Sequence, residues 1–149
     1  MTATAPAQQA SPQDTHPLQR MFPCLAYRDA PAAIEWLGKA FGFEQVVCYT
    51  GPDGGIVHAE LRLEGNLIMM GGERPEHYPV QSPASVGAAT QGVYVHVQNV
   101  DALWERVVAA GAEVVRPLAD TDYGAREFGV RDPEGHLWDF GTYDPFASQ

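Results

Sequence analysis

The chain has 149 residues and a formal net charge of −10. That length fits one compact domain or two small fused modules. The acidity argues against nucleic acid as a partner, because phosphates require basic patches. It favours a cationic ligand through long-range attraction, or it only keeps the protein in solution. No apolar run approaches the roughly 18 residues of a membrane helix, so no membrane partner is expected.

The start of the chain differs in composition from the rest. Residues 1–20 are rich in Ala, Gln, Pro, Ser and Thr. They contain neither a basic start nor an apolar centre, so they do not resemble a secretory signal, and we expect a disordered leader. Cys24 and Cys48 fall in predicted strands. Two buried, reduced thiols are the simplest interpretation and indicate a cytoplasmic protein.

The first half is predicted to contain a strand, a helix and three further strands. After a strand over 21–27, Asp29 is a helix cap and Pro31 is tolerated in the first turn. Apolar residues at helical spacing then continue to Gly42, which ends the helix. The further strands are predicted over 43–49, 56–63 and 66–70.

Residues 71–91 connect the two halves without any periodic pattern. A connection of this length is typical of a lid, a binding loop or a linker. Linking alone would account for it, although Tyr78 and His77 are candidates to cover a cavity.

The second half repeats the same order. A strand over 92–97 precedes Asn99, a plausible helix cap, and the predicted helix ends at Gly111. The remaining strands are predicted over 112–116, 126–131 and 137–142. The Asp-Pro-Glu-Gly turn over 132–135 has the residues that a tight turn requires, since Pro fixes φ and Gly accepts a positive φ.

A constant offset of about 70 residues relates the two halves. Glu64, Gly65 and Leu67 recur as Glu134, Gly135 and Leu137. The first strand and helix of each half keep the same spacing. We interpret this as an internal duplication, with a period too long for a solenoid repeat.

Three motifs at matching spacing resemble the vicinal oxygen chelate superfamily, which includes glyoxalase I, extradiol dioxygenases, fosfomycin resistance enzymes and bleomycin-binding proteins. The motifs lie at 29–43, 100–114 and 131–138. The resemblance covers 21–144 and implies an α+β fold, in which two βαβββ modules form a curved eight-stranded mixed sheet around a cavity. The modules would span about 21–70 and 92–144, with 145–149 as a tail. Family members are often dimers, so a homodimer is expected.

Metal-dependent members of that family hold an ion from the first and last strand of each module. By motif spacing those positions are Phe22, Met69, Gly92 and Asp139. Only Asp139 can bind a metal, and such sites need about three N or O protein ligands. We therefore expect no metal at the inherited position and no cofactor.

A relocated site stays open as an alternative. Strand alternation allows His58, Glu60, His96 and Asp139 to share a cavity, with His58 and Glu60 roughly 7 Å apart on one strand face. His136 follows a turn and is expected to be structural or exposed. No nucleophile–base pair is evident, so catalytic residues remain unassigned.

Our first hypothesis is a protein that binds a small molecule and sequesters a cationic or aromatic compound, as antibiotic-binding members do. Asp139 is preferred over Glu60 as the carboxylate that orients a cationic group. The alternative is a glyoxalase- or dioxygenase-type enzyme with a relocated metal. The predicted ligand-binding residues are Phe22, His58, Glu60, Met69, Tyr94, His96, Phe128 and Asp139.

Overall fold

The computed structural model of the protein describes residues 19–147. Most of the leader predicted over 1–20 therefore lies outside the described residues. The first module contains β1 (Cys24–Tyr27), α1 (Ala30–Phe41), β2 (Glu44–Thr50), β3 (Ile56–Leu63) and β4 (Asn66–Gly72). A short helix, α2 (Pro83–Val86), follows in the connection. The second module contains β5 (Gly92–His96), α3 (Val100–Ala109), β6 (Glu113–Asp120), β7 (Arg126–Arg131) and β8 (Leu137–Gly141).

The α+β class and the duplicated βαβββ order are confirmed. The first sheet has the strand order β1-β4-β3-β2, and the second sheet has the matching order β5-β8-β7-β6. In each, the first strand runs parallel to the last and the other neighbours are antiparallel. The eight strands thus form two four-stranded sheets within one chain, and β1 and β5 lie at sheet edges. Within residues 19–147 no strand of one sheet pairs with a strand of the other, so the eight strands that the resemblance implied are divided between two sheets.

Local sequence signals set the helix ends as predicted. The Asp29 side chain accepts a hydrogen bond from the Ala32 backbone N–H, and Asn99 does the same for Ala102. Both contacts satisfy amide groups that the first turn of a helix would otherwise leave without a partner. The helix α1 ends at Gly42, whose φ of 91° is the left-handed conformation that glycine adopts without strain.

One hydrophobic core serves both modules. Phe41 at the end of α1 lies with its ring centroid 5.2 Å from that of Trp138 and 4.7 Å from that of Phe140, both on β8. Leu37 on α1 and Val107 on α3 are fully buried in the same cluster. Because the helix-side residues of both sheets meet in this core, the opposite face of each sheet lies outside it. We call these two surfaces the open faces.

The turn at 132–136 joins the second module to the first. Asp132 is 4% exposed and accepts hydrogen bonds from the Tyr27 hydroxyl at 2.6 Å and the Trp138 indole N–H at 3.2 Å. It also accepts the backbone N–H groups of Glu134 and His136. A buried carboxylate needs such partners, since an unpaired one is expensive to desolvate. Burial and the neighbouring Asp132 raise the pKa of Tyr27 well above its ordinary value.

Neighbouring groups extend this junction. Glu134 accepts the backbone N–H groups of Arg28 and Asp29 at the start of α1, and the hydroxyl of Ser82 donates to it. His136 is 9% exposed, packs against Tyr27 and has its Nε2 2.9 Å from a backbone carbonyl oxygen of β1. The structural role expected for His136 agrees with this placement.

The connection between the modules is partly ordered by the same contacts. Ser82, which is fully buried, caps the short α2, and its backbone N–H donates to Glu73. Arg74 and Tyr78 form an isolated bridge, so this part of the connection folds back on itself. Within the described part of the chain, no helix is both long and apolar enough to span a membrane.

Candidate functional site

The open face of the first sheet carries sulfur, aromatic and imidazole groups. Cys24, Met69 and Glu60 lie side by side across β1, β4 and β3. The His58 ring nitrogen Nε2 is 3.1 Å from Glu60 Oε1, and Tyr49 stacks on the His58 ring with centroids 6.2 Å apart. Each member of the His58–Glu60 pair keeps about a third of its side chain exposed, at 35% and 31%. This pair is therefore a solvent-accessible polar group beside the sulfur-bearing side chains of this face.

The connection covers part of this face. A cavity of about 160 Å³ lies between the sheet and the connection, and Tyr78 lines it as expected. Other lining residues include Cys24, His58, Met69, Arg74 and Val80. The cavity is smaller than the several hundred Å³ typical of small-molecule sites. A wider recess of about 420 Å³ near the start of α1 is lined by Arg28 and Arg74 together with Asp53 and Glu73.

The open face of the second sheet carries charged groups instead. Arg116 on β6 lies with Nη2 2.6 Å from Asp139 Oδ1 and with Nη1 3.8 Å from Glu127 Oε2. The Tyr123 hydroxyl donates a hydrogen bond of 2.7 Å to the same Glu127 oxygen. We call Arg116, Tyr123, Glu127 and Asp139 the charged cluster. The contact with Asp139 raises the pKa of Arg116, and the hydrogen bond to Glu127 raises that of Tyr123.

Two glycines make room for this cluster. Gly129 lies between Arg116 and Asp139 in the strand register, and a Cβ atom there would come within 2.6 Å of Asp139 Oδ1. Gly141 lies beside Glu127, and a Cβ atom there would collide with the Glu127 side chain. Any larger residue at either position would displace a charged side chain from the sheet surface.

Three tyrosines surround the buried end of the cluster. The Tyr94 hydroxyl donates to the Tyr143 carbonyl oxygen at 2.7 Å, and the two rings meet edge to face at 6.4 Å. Tyr123 meets Tyr143 in the same way at 6.0 Å. Burial, together with the charge of Glu127, raises the pKa of Tyr94 to about 12. Tyr94 and Tyr123 therefore lie close enough to Glu127 for its charge to raise their pKa values.

Comparison with known proteins identifies the family. The chain matches the family model of the Glyoxalase/Bleomycin resistance protein/Dioxygenase superfamily over residues 18–140. The chain belongs to this superfamily. An uncharacterised protein of Mycobacterium bovis is 37% identical over 121 residues, which cover 80% of each chain. The resemblance to the vicinal oxygen chelate superfamily is thereby confirmed.

Solved structures agree with that assignment. TioX from Micromonospora sp. ML1 is 37% identical, with a TM-score of 0.65 over 83% of this chain and 94% of that one. The fosfomycin resistance protein FosX from Listeria monocytogenes, solved as a glutamate-to-glutamine mutant with Mn(II) and a dihydroxypropylphosphonic acid, shares the fold with a TM-score of 0.63. It is 18% identical, over 83% of this chain and 89% of that one, so the likeness concerns the fold alone.

The positions at which superfamily members bind metal do not fit an ion here. Phe22 and Met69 belong to the first module and offer no N or O donor, and Gly92 has no side chain. Asp139 is the single oxygen donor, and Arg116 already pairs with it. Among residues 19–147, no group of three or more His, Cys, Asp or Glu side chains is arranged to hold a metal ion.

The structure divides the predicted ligand-binding residues between the two open faces. His58, Glu60 and Met69 lie on the first sheet, and Phe22 lies just before β1 with 37% of its surface exposed. Tyr94, His96 and Asp139 lie on the second sheet. The proposed cluster of His58, Glu60, His96 and Asp139 is therefore not assembled within the described chain, because its members belong to separate sheets.

Phe128 requires a correction. It is fully buried on the helix side of β7, where it stacks on Phe140 at 5.2 Å and meets Trp104 at 5.3 Å. It therefore supports the core and cannot line an open face. The alternation along β7 instead places the neighbouring Glu127 on that face.

Sequence reasoning missed Arg116, Tyr123 and Glu127. A signal for Glu127 was present, because it stands 69 residues after His58, close to the offset of the duplication. Arg116 had no such signal, since its contact with Asp139 crosses β7 and joins residues 23 positions apart. Tyr123 lies in the turn after that strand.

Proposed function

We propose that the protein binds a small aromatic or cationic molecule and sequesters it without converting it. The observation that carries this proposal is the composition of the two open faces. They combine exposed aromatic rings with a small number of polar groups, which is the composition of most small-molecule sites. The exposed aromatic residues on or beside these faces are Phe22, Tyr49, Tyr78, Tyr94, Tyr123 and Tyr143.

A homodimer is the second part of the proposal. Both sheets pack their helix sides into one core, so their open faces lie on different sides of the chain. A single face buries too little of a ligand, whereas small-molecule sites typically cover about 70–90% of a ligand's surface. A second copy would supply the missing wall if the first sheet of one protomer faced the second sheet of its partner. The edge strands β1 and β5 are available for such an assembly, which would also protect them.

The remaining properties follow from composition. The net charge of −10 supports a ligand that is not a nucleic acid. Cys24 and Cys48 are free thiols, which supports a reducing compartment such as the cytoplasm. No cofactor is required for sequestration.

The test combines sedimentation with ligand binding. We expect a dimer at micromolar concentration, and we expect calorimetry to find a ligand among cationic and neutral aromatic compounds, including bleomycin-like glycopeptides. Tyr94→Ala should weaken every ligand by a similar factor, because it removes apolar and stacking area. Val108→Ser changes an exposed apolar residue on α3 and should leave binding unchanged.

Each part can fail separately. A monomer at all concentrations tested would contradict the dimer. Failure of every compound to bind would contradict the binding role. Recovery of a chemically altered ligand after incubation would contradict sequestration and favour an enzyme.

A further inference from the structure

The charged cluster of the second sheet has an excess of negative charge. Glu127 and Asp139 face a single guanidinium, and Arg116 lies much closer to Asp139, at 2.6 Å, than to Glu127, at 3.8 Å. The Glu127 residue is only 7% exposed. Its contacts with Arg116 and Tyr123 both involve Oε2, and within 19–147 no donor forms a hydrogen bond with Oε1. Glu127 therefore keeps both charge and acceptor capacity for another partner.

No other cationic side chain of the second module balances this charge. The module contains four arginines and no lysine over 92–144. Arg106 binds backbone carbonyl oxygens of the first module. Arg126, at the start of β7, pairs with Asp101 on α3 and Asp120 on β6. Arg131 pairs with Glu113 at 3.5 Å. Each of these arginines is engaged away from Glu127.

The tyrosines beside Glu127 add a second, independent feature. Tyr94, Tyr123 and Tyr143 are 36%, 59% and 41% exposed, although they are large aromatic residues in mutual contact. Aromatic faces attract cations through their negative quadrupole, and quaternary ammonium ligands are recognised in this way. Exposed rings around an undercompensated carboxylate are thus complementary to an ammonium group that carries apolar substituents.

We propose that this corner of the second open face is a subsite for an organic ammonium group, which Glu127 binds against the rings of Tyr94, Tyr123 and Tyr143. The inference rests on the proposed small-molecule function and names the chemical class of the ligand. Glu127 replaces Asp139 as the anchoring carboxylate, because Arg116 already neutralises Asp139. An anionic group is disfavoured, since the one guanidinium of the cluster contacts two carboxylates.

Choline and its uncharged carbon isostere, in which a tert-butyl group replaces the trimethylammonium group, provide matched probes. Both are titrated into the full-length protein at low ionic strength, and the tyrosine ring signals are followed by NMR. We expect choline to shift the rings of Tyr94, Tyr123 and Tyr143. We expect it to bind about tenfold more tightly than the isostere, as for a partly desolvated cation–π contact.

Three variants test the role of charge. Glu127→Gln keeps the size of the side chain and an acceptor for the Tyr123 hydroxyl, and it should weaken choline about tenfold without affecting the isostere. Arg116→Gln releases both carboxylates, and it should strengthen choline binding severalfold. Glu105→Gln makes the same charge change as Glu127→Gln on the exposed side of α3 and serves as the control. Opposite effects of Glu127→Gln and Arg116→Gln are not expected from simple misfolding.

The outcomes separate this subsite from the broader function. Equal binding of choline and the isostere, or weaker choline binding in Arg116→Gln, overturns the ammonium subsite. If a neutral aromatic compound from the calorimetric screen still binds, the proposed function stands without the subsite. If no probe and no screened compound binds, both are wrong.

Discussion

The two sheets share a backbone plan but differ on their open faces. Corresponding positions in the matching registers are occupied by Cys24 and Tyr94, by Met69 and Asp139, and by His58 and Glu127. The helix sides stay apolar in both modules, as Ile68 and Trp138 show. After duplication, packing restricted the helix sides, whereas the open faces were free to acquire different chemistry. The first face carries sulfur groups and the His58–Glu60 pair, and the second carries a charged cluster flanked by tyrosines.

The turn that precedes the last strand also differs between the two modules. In the first module Glu64 and Gly65 form a two-residue turn with φ angles of 48° and 81°, which suits a tight hairpin. In the second, five residues over 132–136 fill the equivalent place and contact the first module. One turn only reverses the chain, whereas the other also joins the modules.

The largest expected effect concerns this second turn. Asp132→Ala removes the acceptor for the Tyr27 hydroxyl and the Trp138 indole, and it leaves buried donors without partners. We expect the free energy of unfolding to fall by about 3–5 kcal/mol, since each such donor costs about 1–3 kcal/mol. Urea denaturation followed by tryptophan fluorescence measures the change.

The control is Arg62→Ala, because Arg62 is an exposed residue near the end of β3, just before the first turn. It should change stability little. A comparable loss in Arg62→Ala would contradict a specific role of Asp132 in joining the modules. Asp132→Asn, which keeps one acceptor oxygen, should fall between wild type and Asp132→Ala.

A smaller effect is expected from ionisation on the second open face. The pKa of Tyr94 is about 12, raised by burial and by Glu127. Because the folded pKa lies above the ordinary value of about 10, the stabilising effect is complete below about pH 10 and is lost as pH rises towards 12. When ultraviolet absorbance is recorded after rapid jumps to increasing final pH, it should show a step of tyrosinate formation near pH 12 that is missing in Tyr94→Phe. In Glu127→Gln that step should move to lower pH, and an unchanged step would show that Glu127 does not act on Tyr94.

Repeat and periodicity were sufficient to predict the order of helices and strands in each half, because both report on the same apolar packing, whereas the way in which the strands join into sheets was implied by the family resemblance. The helix caps Asp29 and Asn99 and the stop at Gly42 depend on local contacts, and each was found where predicted. Asp139 was correctly placed on the last strand, but its pairing with Arg116 joins residues 23 positions apart across β7. Local patterns do not report such pairings. Phe128 was misplaced because an aromatic residue fits either a core or a pocket, and only the burial of its neighbours distinguishes them.

The start of each sheet offers the last and smallest contrast. In the second sheet the backbone of Gly92 pairs with Leu137, but the corresponding pairing is missing in the first sheet, where the ladder begins at Cys24 and Met69. The Gln19 side chain takes its place. Its Oε1 accepts the Leu67 backbone N–H at 2.7 Å, and its Nε2 donates to the Leu67 carbonyl oxygen at 2.9 Å.

Gln19→Ala removes both bonds and leaves two backbone groups of β4 to solvent. The loss should be about 1–2 kcal/mol, which lowers the melting temperature of a domain this size by about 4 °C. Gln45→Ala, at an exposed position on β2, is the matched control and should change it little. Deletion of residues 2–18 should also leave the melting temperature nearly unchanged, because these residues carry no periodic apolar pattern from which packing on the fold would be expected. A drop of several degrees on deletion would show that the leader docks on the fold. An unchanged melting temperature in Gln19→Ala would show that the glutamine does not replace the missing pair.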